Sequence, residues 1–143
     1  MLSNLAAGTA VILMTVVIHT SGLIGITHAM SWLVGHFRMH GRRSRILAIV
    51  TVVLGLFAVL TVEIWLWAIC YWAVGAFNDL ETALYFSTVT FSTLGFGDVL
   101  PPKPWRLFSA LEAVNGFLVI GWSTAHLVAA STRVGPFRSG EHF

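Results

Sequence analysis

Three long apolar runs with almost no charged residues constrain this chain more than any other feature. The first run covers residues 5–34 and has no charged residue, the second covers 46–70 and is interrupted only by Glu63, and the third covers 105–131. At about 1.5 Å per helical residue, each run is long enough to cross the roughly 30 Å hydrocarbon core of a bilayer. The runs predict an all-α membrane protein with three transmembrane helices.

The composition excludes an ordinary water-soluble domain. Of the 143 residues, 57% are hydrophobic and 10% are charged, whereas about a quarter of the residues in a soluble domain carry charge. The single cysteine, Cys70, permits no internal disulfide, and the sequence has neither metal-ligand spacing of Cys and His nor a nucleophile and base pair. We therefore expect no enzyme, no organic cofactor and no nucleic-acid partner.

The basic residues predict the orientation of the helices. Arg38, Arg42, Arg43 and Arg45 lie between the first two runs, and Arg133 follows the third. Because cytoplasmic loops are rich in Lys and Arg, we expect a multi-pass protein of the cell membrane with its N-terminus outside and its C-terminus in the cytoplasm. The segment between the second and third runs then lies on the outer side.

The cluster of Arg42, Arg43 and Arg45 has two interpretations. Basic residues near a membrane surface each contribute about 1 kcal/mol to the binding of anionic lipid headgroups. Topology signalling explains the same cluster without any lipid function. Membrane lipids are expected partners in either case, and anionic lipid at these arginines is one of the two alternatives.

Polar and aromatic residues mark particular positions in the first two runs. His19 and His28 flank Gly22 and Gly25, and small residues at this spacing predict close helix packing, with a titrating histidine as the alternative. Glu63 is expected near the far headgroups as a solvated or hydrogen-bonded anchor, in preference to a transport site. The aromatic residues that follow predict an interfacial belt: Trp65, Trp67, Tyr71 and Trp72.

The outer segment contains a helix too short to cross the membrane. Asn78 or Asp79 is expected to cap it, and residues 80–90 form a half-helix that enters the membrane and turns back. The C-terminal end of such a helix carries partial negative charge. Since this end points into the membrane, a cation could use it.

The sequence Ser-Thr-Leu-Gly-Phe-Gly-Asp, residues 92–98, follows the half-helix directly. Glycine at every second position permits backbone angles that turn successive carbonyls to one side, while Leu94 and Phe96 pack away from that side against protein. Non-helical backbone at membrane depth is tolerated only when protein buries it or when it lines a watery path. A row of carbonyls together with the Thr93 hydroxyl, facing such a path, is a site for a dehydrated cation.

These residues resemble the selectivity filter of the two-helix potassium channels, including their bacterial members, whose pattern is Thr-Val-Gly-Tyr-Gly-Asp. The resemblance covers about residues 46–128, as outer helix, pore helix, filter and inner helix, and the first helix is additional to it. Four residues match the pattern and two differ: Thr93, Gly95, Gly97 and Asp98 match, Leu94 replaces Val and Phe96 replaces Tyr.

The resemblance implies a homotetrameric, potassium-selective channel, because one chain supplies only one filter strand. K⁺ is then the permeant ion, and the backbone carbonyls of Thr93, Leu94, Gly95 and Phe96 are its ligands, with Gly97 shaping the outer mouth. We call residues 93–97 the filter segment.

Further roles follow from the same resemblance. Asp98 is expected to draw cations or hold a hydrogen bond behind or above the filter, with a solvated loop carboxylate as the alternative. Glu112 is expected to support the filter by bonding to its back, or to bond to a neighbouring helix. Gly116 is a candidate hinge of the inner helix, with Gly121 as an alternative, and helix packing is the competing role for both. The inner helix is expected to line the cavity below the filter with Leu118, Gly121, Ala125 and Ala129.

The expected organisation is one membrane domain in three parts. Residues 1–45 form the extra helix and the basic loop, 46–132 the pore domain, and 133–143 a short cytoplasmic tail. The extra helix has no regularly spaced Arg or Lys, which excludes a voltage sensor of the usual kind. Two other functions stay open: a weakly selective cation channel, suggested by Leu94 and Phe96, and a non-conducting regulatory subunit.

Overall fold

The structure is a computed structural model that describes residues 2–36 and 42–134. Within these ranges the chain is all-helical, and three stretches are long and apolar enough to cross a membrane: Leu2–Leu33, Ile46–Ala73 and Lys103–Thr132. The prediction of three spans with one short helix between the second and third is confirmed. The helices are α1 Leu2–His36, α2 Arg42–Ala73, α3 Leu80–Phe91 and α4 Arg106–Val134, with a 3₁₀ turn at Lys103–Trp105 before α4.

The helices α1 and α4 run parallel to each other. The side-chain amide of Asn4, at the start of α1, donates to the carbonyl oxygen of Pro104, just before α4. Farther along both helices, Ser123 of α4 lies beside His19 of α1. Since later residues of α1 contact later residues of α4, the two helices run side by side in the same direction.

The helix α2 runs antiparallel to α1, and glycines bring the two together. A Cβ on Gly22 would come within 2.4 Å of Val59, and one on Gly55 within 2.6 Å of Ile26. The contacts advance on α1 while they retreat on α2, which fixes the antiparallel direction. The packing role predicted for Gly22 is confirmed, whereas Gly25 is exposed with open space around it, so the same prediction is wrong there.

The short helix and the arginines at the start of α2 lie at opposite ends of the bundle. The end that carries α3 also holds the last residue of α2, Ala73, and the first residue of α4, Arg106. The other end holds the start of α2 at Arg42 and the end of α4 at Val134. Two predictions fall outside the part of the chain that the structure describes: lipid binding by the side chains of Arg42, Arg43 and Arg45, and the tail after Val134.

Two apolar clusters form the core and are stacked along the bundle. The cluster near α3 contains large aromatic side chains, and the cluster at the opposite end consists of aliphatic side chains from α1, α2 and α4. The first includes Trp67, Tyr71, Phe77, Phe86, Phe91 and Phe108, and the second includes Leu23, Ile26, Met30, Val52 and Leu56.

Two residues of the predicted aromatic belt belong to this core. Trp67 and Tyr71 are 0% exposed, so the interfacial prediction is wrong for both, whereas Trp65 and Trp72 are exposed. Trp67 and Tyr71 follow Glu63 at intervals of one helical turn, and residues four apart share a helix face. This face of α2 is turned inward, toward α1 and α4.

Candidate functional site

The helix α3 aims its C-terminal end at the filter segment. Asp79 caps its start, because the Asp79 side chain accepts a hydrogen bond of 2.7 Å from the backbone N–H of Thr82. That hydrogen bond also holds the pKa of Asp79 below its ordinary value. Apolar residues on one face of α3, including Phe86 and Val89, are buried against the bundle and fix the direction of the helix.

The filter segment has a left-handed backbone at every second residue. The φ angles of Thr93, Gly95 and Gly97 are 60°, 59° and 76°. Glycine adopts such angles at little cost, but a threonine in this region is uncommon. Because left-handed residues alternate with ordinary ones, successive carbonyl groups can point to the same side of the strand.

Hydrogen bonds leave the carbonyls of this segment available. The backbone N–H groups of residues 93–95 donate to the carbonyl oxygens of Thr90 and Val89 at 3.0 to 3.2 Å. The carbonyl oxygens of residues 93–96 accept no hydrogen bond from any residue in the described ranges. The donors of the segment are therefore turned toward α3, and its acceptors are free to bind something else.

The single chain does not cover the filter segment. The side chains of Leu94 and Phe96 are 58% and 66% exposed, so the prediction that they pack against protein does not hold within one copy of the chain. A Cβ on Gly95 or Gly97 would meet no atom within 4 Å. Behind the segment, between α3 and α4, is a cavity of about 280 Å³ lined in part by Val89.

Asp98 is hydrogen-bonded to α3. The hydroxyl of Tyr85, on α3, donates to Oδ2 of Asp98 over 2.6 Å. This hydrogen bond holds the pKa of Asp98 below its ordinary value of 3.8. It also raises the pKa of the Tyr85 hydroxyl. The bond connects the chain just after the filter segment to the helix just before it.

Glu112 connects three helices behind the filter segment. Its carboxyl group is fully buried, and its two oxygens have different partners. The hydroxyl of Tyr71, on α2, donates to Oε2 over 2.7 Å, and the hydroxyl of Ser87, on α3, lies 2.6 Å from Oε1. Buried carboxyl groups need such partners because desolvation is costly. Glu112 therefore ties α2 and α3 to α4, as the neighbouring-helix alternative predicts, and within the described ranges it has no hydrogen bond to the filter segment.

Gly116 lies where α4 passes the end of α3. A Cβ at this position would come within 2.1 Å of the carbonyl oxygen of Phe91, which is a backbone atom and cannot move aside as a side chain would. The geometry favours the packing role of Gly116 over the hinge role. Gly121 has open space around it.

The residues expected to line the cavity share one exposed side of α4. Leu118, Gly121, Ala125 and Ala129 are exposed in the single chain and are spaced three or four residues apart, as one face of a helix requires. The opposite side of α4 carries the buried residues Glu112, Asn115 and Val119.

Sequence reasoning missed the partners of several polar residues. The Tyr85 hydroxyl was not linked to Asp98, and His19 was not linked to Glu63, although the His19 Nδ1 lies 3.0 Å from the Glu63 Oε1. Glu63 is 0% exposed and hydrogen-bonded, so the hydrogen-bonded form of the predicted anchor is confirmed and the solvated form is wrong. The alternative of a transport site stays a prediction. A signal was present, because the only acid of an apolar run must find a partner if it is buried.

Comparison with known families identifies the part of the chain that contains these features. A family described as ion channel matches residues 58–133, slightly more than half of the chain. The match covers the second half of α2, all of α3, the filter segment and nearly all of α4. No curated protein and no solved structure matches the chain.

Proposed function

The chain belongs to the ion channel family, and we propose that it forms a potassium-selective channel in which four copies surround one pore. It is not an enzyme: it lets an ion pass and catalyses no reaction. Conduction is passive: K⁺ gives up hydration water, is held by carbonyl oxygens, and moves in single file.

The observation that carries the proposal is the alternating backbone of the filter segment. Left-handed residues at Thr93, Gly95 and Gly97, together with carbonyl oxygens that have no donor among the described residues, supply the ligand type that a dehydrated K⁺ requires. The N–H groups face α3 and therefore do not oppose a cation. The partial negative charge at the end of α3 adds to the attraction.

The tetramer is proposed because one chain leaves the site incomplete. The exposed backbone of residues 93–97 lies between membrane helices, where bare polar backbone requires protein or a water path around it. Four strands around an axis would cover the segment and form rings of carbonyl oxygens. The exposed side chains of Leu94 and Phe96 and the cavity of about 280 Å³ behind them would then meet neighbouring copies.

The direction of the pore follows from the placement of the basic residues. The positive-inside rule places the end of the bundle where α2 begins, at Arg42, and α4 ends, at Val134, in the cytoplasm. We therefore place the opposite end, which carries α3, outside. K⁺ then enters from outside past Asp98. Below the filter, the exposed stripe of α4 that begins at Leu118 lines the cavity.

A weakly selective cation channel is the second candidate, and Phe96 favours it. Phe96 carries no hydroxyl with which to brace the filter from behind, and its ring is exposed within the chain. Against this, the bond between Tyr85 and Asp98 restrains the outer end of the filter segment. The proposal of selectivity depends on that restraint.

A glycine-to-alanine substitution tests the assignment of the filter. An L-residue in the left-handed region costs about 1–2 kcal/mol, and in a tetramer Gly95→Ala introduces this strain into every filter strand. Within the chain a new methyl group at Gly95 would meet no atom, so the expected loss of K⁺ flux in liposomes would come from backbone geometry. The tetramer, measured by native mass spectrometry, should persist.

Gly25→Ala is the matched control. Gly25 lies on α1, is exposed, and also has open space around it, but its backbone is helical. Flux should be unchanged in this variant. Undiminished flux in Gly95→Ala would refute the proposed filter.

A further inference from the structure

Three polar side chains meet in the middle of the bundle, away from the filter segment. His19 of α1 and Glu63 of α2 are 0% exposed, and Ser123 of α4 is 5% exposed. The Nδ1 of His19 lies 3.0 Å from Oε1 of Glu63, and its Nε2 lies 3.5 Å from the hydroxyl oxygen of Ser123. One imidazole ring thus joins the extra helix to both long helices of the pore domain. We call these three residues the polar layer.

The polar layer separates the two apolar clusters of the core. On α1, His19 lies between Val11 of one cluster and Leu23 of the other. On α2 and α4, Glu63 and Ser123 likewise lie between residues of the two clusters. At this level the three helices are held by polar contacts, and apolar packing resumes above and below.

Among the described residues, Glu63 is paired with His19 and with no Lys or Arg side chain. Its Oε2 has no hydrogen-bond partner among the described residues. The apolar runs 5–34 and 46–70 contain no Lys or Arg, and a lone buried carboxylate is costly. A proton held by His19 and Glu63 together is the charge that can make this pair neutral.

Other titratable groups lie farther along the same helices. His28 is on α1, two to three turns beyond His19, and His126 is on α4, one turn beyond Ser123. The indole ring of Trp122 packs against His19 at a tilt, with 5.1 Å between the ring centroids and 47° between the ring planes. The other titratable residues of α2 and α4 lie in two groups: Cys70, Tyr71, Arg106 and Glu112 are on the α3 side of the layer, and Arg42, Arg43, Arg45 and Arg133 are at positions near the opposite end of the two helices.

A groove lies next to the polar layer. It has a volume of about 330 Å³ and lies between α1 and α4, where Thr20, His28, Trp122 and His126 line it. Thr20, His28 and His126 lie on the side of the layer away from α3, and Trp122 lies level with the layer. In the proposed orientation, the groove faces the cytoplasmic half of the membrane.

We propose that His19, Glu63 and Ser123 form a proton-binding site through which α1 controls the inner helix α4. With a neutral imidazole, Nδ1–H donates to Glu63 and the Ser123 hydroxyl donates to Nε2. When the imidazole takes up a proton, both ring nitrogens donate, and Ser123 must turn its hydroxyl away and accept. Because α4 lines the proposed pore, this change of bonding alters conduction, a step that rests on the proposed function.

Flux measurements test the regulatory part of this proposal. Wild-type K⁺ flux in liposomes should change at least about threefold across internal pH values of about 5 to 8, the range in which an imidazole changes charge. His19→Asn and Glu63→Gln should each remove most of this dependence. His28→Asn is the matched control, since His28 is exposed and its Nδ1 is hydrogen-bonded to the carbonyl oxygen of Ile24 on its own helix, and it should keep the wild-type response.

A second measurement tests the site without any flux. In protein labelled at its histidine rings, the nuclear magnetic resonance titration of His19 should be altered by Glu63→Gln and unaltered by His28→Asn. This result would support the site even if no K⁺ flux occurred and the proposed function failed. Glu63→Gln keeps the volume and a hydrogen-bonding group, so it serves where His19→Asn fails to fold.

Two results would overturn the proposal. One is a His19 titration that is identical in wild type and Glu63→Gln. The other, in protein that conducts K⁺, is a flux response to internal pH that is absent in the wild type, or that persists undiminished in both His19→Asn and Glu63→Gln.

Discussion

At the level of single residues, a tyrosine hydroxyl restrains the end of the filter segment, but it comes from position 85 and not from position 96. Phe96 has no polar atom in its side chain, but Tyr85 of α3 donates to Asp98, two residues after it in the chain. The 2.6 Å bond joins the outer end of the filter segment to the helix that supports its inner end. The loop is therefore held at both ends, and the restraint depends on an ionised Asp98.

Tyr85→Phe should loosen this restraint without removing the carbonyl ligands. We expect K⁺ conduction to persist while the permeability ratio of K⁺ to Na⁺ falls by about threefold or more, since about 0.6 kcal/mol of lost discrimination is enough. Bi-ionic reversal potentials measure this ratio. An unchanged ratio would show that the bond does not restrain the filter.

The same bond predicts a dependence on outer pH with a defined sign. Because the pKa of Asp98 is lowered, the contribution of the bond is present above the ordinary pKa and is lost as pH falls through the lowered one. Wild-type selectivity should therefore hold in mildly acidic solution and fail only at stronger acidity. Tyr85→Phe should lack this acid-dependent loss.

At the level of helices, α3 and α4 approach each other most closely at Gly116. The backbone carbonyl of Phe91, the last residue of α3, occupies the space that a side chain at position 116 would need. Asn115 beside it is 3% exposed, and its Nδ2 has no partner among the described residues. The end of α3 thus packs directly against the backbone of α4.

Gly116→Ala should force these two helices apart. Overpacking of a buried contact costs about 1–3 kcal/mol, and here the obstructing atom belongs to the backbone. We expect a lower midpoint of thermal unfolding in detergent, with Gly25→Ala unchanged. A stable Gly116→Ala with altered channel opening would instead indicate the hinge role.

The sequence was sufficient for features with local causes. The cap at Asp79 and the length of α3 depend on nearby residues, and the left-handed angles at Gly95 and Gly97 depend on a glycine at alternate positions. Which face of α2 turns inward depends on distant residues. Trp67 was therefore assigned to the interface although it packs against Phe108 of α4, with 4.9 Å between ring centroids.

The partner of a buried polar residue was also beyond local reasoning. His19 and Glu63 are 44 positions apart, and their meeting requires α1 to lie antiparallel to α2 in one particular register. The glycine contacts that set this register, Gly22 with Val59 and Gly55 with Ile26, appear only in the folded chain. The sequence pattern identified Gly22 but not Gly55, and it identified the neighbour of neither.

At the level of the whole molecule, one part of the fold is packed within the chain, and another part has no packing partner among the described residues. The helix α1 packs against α2 and α4 along much of its length, from Asn4 to Met30, and the polar layer lies within this packed part. The filter segment and the exposed stripe of α4 have no partner surface within the described chain. In the proposed tetramer, both would lie where the four copies meet.

The central claim is that this assembly distinguishes K⁺ from Na⁺, and a bi-ionic reversal potential tests it most directly. Purified wild-type protein in a lipid bilayer would separate a K⁺ solution from a Na⁺ solution of equal concentration. We predict a permeability ratio of at least about 10 in favour of K⁺, equivalent to about 1.4 kcal/mol, and hence a reversal potential far from zero. A reversal potential at zero, with current flowing, would contradict the claim.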